Sequence, residues 1–468
     1  MKPNYNKLAF RVFIVGIFLR VLLFILNPPD NAFDRHFEPI LFIMDHGYIP
    51  PKDACMQCYH PPIFYWISAM IGNLASHIGL QLPSILKLLQ FINCFYGILT
   101  LGVIYLILNK FRLSQFSVII AFGTACFLPR HIYMSALNSN DTIAYLCVAI
   151  CIYLLIIAVE RKFSLPSLIA LSIAMTIALF TKYTSFVVIP IVLAVFLAAF
   201  VKRIPAGRKK IVLAFIGVIV IPLAFLSIYA ISNLKNYHNP LPWNLNVLDP
   251  SVTQPRDDEP VDFITFKPWD NLTTPILVPG KMHSFWTLIH NGMWFDTEPK
   301  FIYFMDSNPQ WWEHYYSWLR GEKKFPENNP PMSIATKFEG SGLIMLGLFP
   351  LILTILGGYY YFSGRWHLLT GSDTLETIKT IIFPVLCISN ALGVIVITLR
   401  LPTYTAMKAS YFLSSMPAFA FFMAVGLMAC ENRPFLKRGI SIIFGVLFSL
   451  VFLHILHIFL AMVYPSIF

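Results

Sequence analysis

The sequence predicts an all-α polytopic membrane protein, and three observations carry that prediction. Hydrophobic residues make up 57% of the 468 and charged residues only 12%, where a soluble domain carries roughly a quarter charged. Apolar runs recur from end to end, each long enough (~18 residues or more) to cross a ~30 Å hydrocarbon core as a helix. The basic residues of the short loops fall on alternate sides of these runs, as the positive-inside rule requires. In lipid a helix satisfies its own backbone groups, so a bundle of helices is the natural solution.

Taken in order, spans are expected near residues 8–27, 84–108, 115–131, 139–159, 165–181, 184–201, 211–232, 341–362, 377–399, 409–429 and 439–464, about eleven transmembrane helices. The first ends at Pro28-Pro29, which stop a helix, and without a small-residue cleavage site it reads as an uncleaved span. Segment 62–80 is apolar, but Gly72, His77 and Gly79 mark it as interfacial or re-entrant. The spans at 165–181 and 184–201 are nearly fused at Lys182-Tyr183. Three regions follow: 1–232 with a first external loop at 28–83, an external insert at 233–340, and C-terminal helices at 341–468.

With Lys2, Lys7 and Arg11 in the cytoplasm, so are Lys110, Arg112, Arg161, Lys162, Lys202, Arg203, Arg208, Lys209, Lys210, Arg433, Lys437 and Arg438. The net charge of +11 is then mostly topological, and no nucleic-acid partner is expected. Loop 28–83 and the insert lie on the opposite face.

That first loop gathers reactive side chains between two apolar stretches. Asp34 and Glu38 share a face if 34–46 is helical, and a carboxylate at a membrane mouth suits general-base work. His60 precedes Pro61-Pro62 and the aromatic run Phe64-Tyr65-Trp66, which fits an interfacial belt. Cys55 and Cys58 could form a disulfide or, with His60 and His36 or His46, hold zinc. The other cysteines lie in or near apolar spans as small hydrophobes.

Three further segments on the same face carry cations against the positive-inside rule: Arg130 in "LPRHIYMSALNSNDTIAYL", Lys182 beside Tyr183 in "FTKYTSF", and Arg400, Lys408 and Tyr411 in "LRLPTYTAMKASYFLSSMP". Ionisable groups at this depth are costly and mark function. The most economical ligand is a lipid phosphate, its chain between spans and its oxygens on these cations. If that phosphate carries a sugar, the cations stabilise its departure and Asp34 deprotonates an acceptor hydroxyl.

"RVLLFILNPPDNAFDRHFEP", "YHPPIFYW", "LNSNDTIAYL", "ALFTKYTSFVVIP" and "KASYFLSSMPAFAFFMAVGL" together resemble the GT-C superfamily of membrane glycosyltransferases. The nearest branch is that of the protein O-mannosyltransferases, the aminoarabinose transferases and the RgtA/B/C/D-like proteins. The likeness covers roughly residues 8–200 and 340–430. It implies a GT-C-like fold and a polyprenyl-phosphate sugar as donor. It also implies a lipid, glycan or protein acceptor and work on the periplasmic or luminal face. By position, Asp34 matches the first-loop catalytic acid, His60 the residue before Pro-Pro, Asp141 the acid of the second external loop, and Lys182 the family's Lys turn. The usual adjacent acidic pair is here Asp34-Arg35, so Glu38 could supply the second carboxylate and Asp30 could be the true match. A divalent ion near Asp34 and Asp141 stays open, since some relatives need one.

In the insert, Trp286, Trp294, Asp296, Trp311 and Trp312 could line an acceptor site or form a small core. Asn271-Leu272-Thr273 is a glycosylation sequon. The competing class is a transporter or flippase, which places its binding residues near the bilayer midplane on broken helices. The middles of these spans are almost charge-free. A polysaccharide ligase or polymerase would share the lipid-phosphate chemistry.

Overall fold

The apolar runs fold as helices from one end of the chain to the other. The computed structural model describes residues 5–29, 35–202, 207–242, 259–301, 309–319, 323–328, 332–365, 367, 374–402 and 407–464. The first part holds α1 (Tyr5–Leu26), α2 (Phe37–His46), α3 (Ile63–His77), α4 (Leu82–Leu108), α5 (Gln115–Cys126), α6 (Pro129–Ser135), α7 (Asn140–Glu160), α8 (Leu165–Leu179), α9 (Val188–Val201) and α10 (Arg208–Tyr237). The insert contributes α11 (Phe285–Trp294) and α12 (Pro309–Leu319). Then come α13 (Ile334–Leu346), α14 (Leu348–Phe362), α15 (Thr374–Thr380), α16 (Ile382–Arg400), α17 (Met416–Glu431) and α18 (Pro434–Val463). Short 3-10 turns at Tyr183–Val187 and Ala409–Ser415 lead into α9 and α17.

Among the described residues nine helices are long and apolar enough to cross a bilayer, or ten if a bent pair is one span. Two of the expected spans are not single long helices. The stretch 115–131 breaks by 50° between α5 and α6, where Pro129 has no N–H to continue the α5 ladder. α8 has only 15 residues, about 23 Å of rise. It stops where Phe180 turns its carbonyl to the N–H of Ile63, 3.0 Å away at the start of α3.

α7 and α17 are the most deeply buried spans. α14 lies against α17 with backbones nearly touching. A Cβ on Gly357 would sit 1.7 Å from the Phe422 carbonyl oxygen, and one on Gly426 2.1 Å from that of Leu353.

Buried polar side chains pin the helices that carry the site. Arg20, fully buried in α1, donates to the carbonyls of Gly16 (2.7 Å) and Cys126 (2.9 Å) and bonds His131 Nδ1 at 2.6 Å on α6. Asn27 and Gln90 both donate to the Ala136 carbonyl at 2.7 Å, and Asn93 donates to Asn138 Oδ1 at 2.9 Å. The linker from α6 to α7 is thereby fixed in place. At the far end of α7, Lys110 and Lys379 meet Glu160 at 3.0 and 3.2 Å, and Lys379 meets Glu376 at 2.6 Å.

The aromatic residues of the insert pack on one another. Trp311, Trp312, Tyr315 and Trp318 are buried in mutual contact, and Trp286 donates to the Phe263 carbonyl at 2.7 Å. This packing fits the core alternative. Asn271 of the sequon is buried and accepts a bond from Asn291 Nδ2 at 2.9 Å.

Candidate functional site

One end of the bundle opens into a cavity of about 500 Å³. Its walls come from the first loop, α6, the start of α7, the turn after α8, the final turns of α16 and the segment before α17. His60, Arg130, Asp141, Lys182, Tyr183, Arg400, Lys408 and Tyr411 all line it. Eight of the ten residues singled out from sequence therefore share one space, although they come from four separate stretches of chain.

Asp141 sits in the first turn of α7 behind the cap Ser139, whose Oγ accepts its backbone N–H at 3.2 Å and donates to Oδ2 at 2.9 Å. Lys182 Nζ lies 2.7 Å from Asp141 Oδ1, with both side chains almost fully buried. Tyr145, one turn along α7, donates to the same oxygen at 3.3 Å and to the Ser410 carbonyl at 2.9 Å. Lys182 is extended (φ −159°), so the chain leaves α8 straight and presents the ammonium inward. Its Nζ lies 6.0 Å from the Tyr411 ring centre. Lys408 is buried at the head of the 3-10 turn. Arg400 is exposed in the last turn of α16, the end where a helix dipole favours a cation.

Arg130 on α6 is buried, with Nη2 2.8 Å from Glu298 Oε1 of the insert. Lys300, two residues on, also lines the cavity and is 6% exposed. Sequence reasoning missed Glu298 and Lys300. The signal was the charged "TEPK" inside an otherwise aromatic run.

The described part of the first-loop wall is rich in aromatic rings. His36 Nδ1 bonds Tyr65 Oη at 2.9 Å, and the His36, Tyr59 and Tyr183 rings lie 5.9, 4.1 and 6.3 Å from that of His60. Lys52 donates to the His60 carbonyl at 3.0 Å from behind, and burial pulls its ammonium down to about 8. The cavity also has apolar wall residues, among them Phe186, Val187, Pro190, Val394 and Ile397. Ser389, Asn390, Gly393, Val394, Ile397 and Arg400 line it from one face of α16, a run of about 16 Å along the helix. Facing them are Val187 and Pro190. The arrangement suits an amphiphile with an anionic head and an apolar tail.

Two sequence expectations change. Glu38 does not line the cavity; it pairs with Arg35 at 3.4 Å on the exposed side of α2. Cys55 and Cys58 are bonded to each other, so both sulfurs are taken and the zinc alternative for this pair falls. Asp34 and Asp30 lie outside the described residues. Among those described, no group of three or more His, Cys, Asp and Glu is arranged to hold a metal. The Asp141 carboxylate meets Lys182, Tyr145 and Ser139.

The class defined by fold and cavity is a polytopic helical membrane protein with a cavity lined by cations and by apolar side chains. Residues 59–228 match the family model of dolichyl-phosphate-mannose-protein mannosyltransferase. The chain is similar in fold to the oligosaccharyltransferase AglB from Archaeoglobus fulgidus in complex with an inhibitory peptide and a dolichol-phosphate. That alignment has a TM-score of 0.53 at 14% identity and covers 99% of this chain and 56% of that one. The apo form of the Archaeoglobus enzyme aligns with a TM-score of 0.51 at 14% identity, covering 98% and 55%. This chain thus spans about half the length of those proteins. ArnT from Cupriavidus metallidurans bound to undecaprenyl phosphate aligns at 12% identity over 92% and 79%, with a TM-score of 0.37 too low to argue from. No curated protein matches in sequence. The family likeness covers residues 59–228, and the Archaeoglobus structures share the fold.

Proposed function

We propose that this chain is an integral-membrane glycosyltransferase that takes a sugar from a polyprenyl-phosphate donor. The observation that carries the proposal is the convergence of Arg130, Lys182, Lys300, Arg400 and Lys408 on one cavity that apolar side chains also line. A water-soluble anion needs no such apolar wall, and an apolar ligand needs no such cations. A lipid phosphate needs both.

In the reaction the acceptor hydroxyl oxygen attacks the anomeric carbon, and the bond from that carbon to the phosphate oxygen breaks. The electron pair leaves with the polyprenyl phosphate, whose new charge Lys182, Lys408 and the arginines stabilise. The hydroxyl proton passes to a carboxylate, for which Asp34, two residues before cavity-lining His36, is the candidate. Asp141 acts through Lys182, holding the ammonium toward the phosphate. The acceptor is a lipid, glycan or protein hydroxyl. The cavity faces the non-cytoplasmic side of a plasma membrane, the periplasm in a bacterium.

The test is sugar transfer and lipid-phosphate binding by the purified protein in nanodiscs. Lys182→Ala and Lys408→Ala should each weaken undecaprenyl phosphate binding by about ten- to hundredfold, as for a lost charged hydrogen bond. Asp34→Asn should cut transfer by ~10²–10⁴-fold at unchanged binding. Unaltered affinity in both lysine variants would remove the phosphate grip, and transport of the lipid without transfer would favour a flippase.

A further inference from the structure

The Cys55–Cys58 disulfide has no part in the scheme above, yet the two residues it encloses both line the cavity. Met56 and Gln57 form the crest of a tight turn. Cys58 donates its N–H to the Cys55 carbonyl at 3.2 Å, and His60 donates to that of Gln57 at 3.3 Å. Gln57 is 5% exposed, and among the described residues nothing takes up its carboxamide. Its carboxamide is not among the sealed atoms left without a partner and belongs to a residue that lines the cavity, so a ligand bound there can take it up.

The surroundings indicate what that ligand is. Beside Gln57 in the chain are Tyr59 and His60, and the His60 ring adjoins Tyr183, the neighbour of Lys182. The wall next to the proposed phosphate position therefore offers donors, acceptors and aromatic faces, which is what a hydroxylated ring requires. The turn is also held from outside. Lys52 N–H donates to Tyr237 Oη at 3.0 Å, and Tyr183 Oη donates to the carbonyls of Pro242 at 3.1 Å and Tyr59 at 3.4 Å.

We infer that Gln57 reads a hydroxyl of the donor sugar, and that the Cys55–Cys58 disulfide locks the turn that presents it. This rests on the lipid-phosphate reading but goes beyond it, because it assigns sugar selectivity to the crest of a redox-closed turn. Gln57 sets which sugar is preferred and leaves the phosphate grip untouched.

The experiment compares dissociation constants of the full-length protein in nanodiscs for undecaprenyl phosphate and for undecaprenyl phosphate bearing mannose, glucose, galactose or arabinose. The wild type should bind at least one glycosylated probe more tightly than the bare lipid phosphate. Gln57→Leu should lose about five- to tenfold of that preference, the worth of one hydrogen bond, with unchanged affinity for undecaprenyl phosphate. The Cys55→Ser/Cys58→Ser double variant should lose it likewise. Retained affinity for the bare lipid phosphate shows that each variant is folded. Full preference surviving in either variant, or no preference in the wild type, overturns the assignment to Gln57. Failure of the wild type to bind undecaprenyl phosphate sinks the lipid-phosphate reading itself.

Discussion

Removing one member of the buried Asp141–Lys182 pair leaves an uncompensated charge, which costs roughly 3–5 kcal/mol. Asp141→Ala should therefore lower the melting temperature more than the double variant Asp141→Leu/Lys182→Met, which removes both charges. Both should be inactive; equal stability of the single and double variants would show that the pair is not closed. A second residue sets a pH dependence. His290 in α11 donates Nε2–H to the Ile344 carbonyl at 3.0 Å. Burial pulls it down from 6.5 to about 4, against the raising effect of that bond. The unfolded chain takes up the proton near pH 6.5 and the folded chain only near 4, so stability is full above 6.5 and falls as pH drops through that window. His290→Gln keeps a donor but not the titration, so its melting temperature should decline less between pH 7 and pH 4.5. Identical slopes would exclude His290. At this scale the sequence was legible where chemistry broke a rule: Lys182 and Lys408 stood out as cations on the wrong face. Glu38 misled because spacing fixes a helical face but not which face turns inward. Gln57 carried no signal, since an amide in a loop becomes unusual only once it is buried.

The helices were legible from their apolar runs because lipid demands that every span satisfy its own backbone. Breaks within a run were harder to read. Pro129 lay inside an apolar stretch, and the packing of Arg20 against His131 and the Cys126 carbonyl adds to its effect in holding α6 at an angle to α5. Close packing between helices is equally invisible until partners are known. Two glycines separate that effect. Gly426 faces the α14 backbone, whereas Gly393 on α16 faces open cavity with nothing within 4 Å of an added Cβ. Gly426→Ala should destabilise the fold, read as a clear drop in melting temperature. Gly393→Phe should leave the melting temperature near wild type but fill the cavity and abolish undecaprenyl phosphate binding. If Gly393→Phe binds the lipid normally, the tail does not run along α16.

At the scale of the whole molecule, the two ends of α7 are chemically unlike. Asp141 opens on the cavity, while Glu160 closes a lysine network at the other end, next to Arg161 and Lys162. The insert completes the first end from a distance of more than a hundred residues, through Glu298 on Arg130 and Lys300 in the wall. No local pattern announces such a visit, which is why the cavity was read from sequence without that wall. The basic loops predict which end faces the cytoplasm, since Lys and Arg flanking spans are retained there. Asp45, after α2 begins, and Arg161, after α7 ends, are both exposed. Asp45→Cys and Arg161→Cys can be compared in a background where Cys387 and Cys430, the partly exposed thiols, are replaced by alanine. A membrane-impermeant maleimide added to intact cells should label Asp45→Cys and spare Arg161→Cys until the membrane is permeabilised. The reverse pattern would put the cavity in the cytoplasm, where a base at its mouth would meet cytosolic acceptors and the Cys55–Cys58 bond would face reducing conditions. Orientation, acceptor pool and the redox state of the turn must therefore stand or fall together.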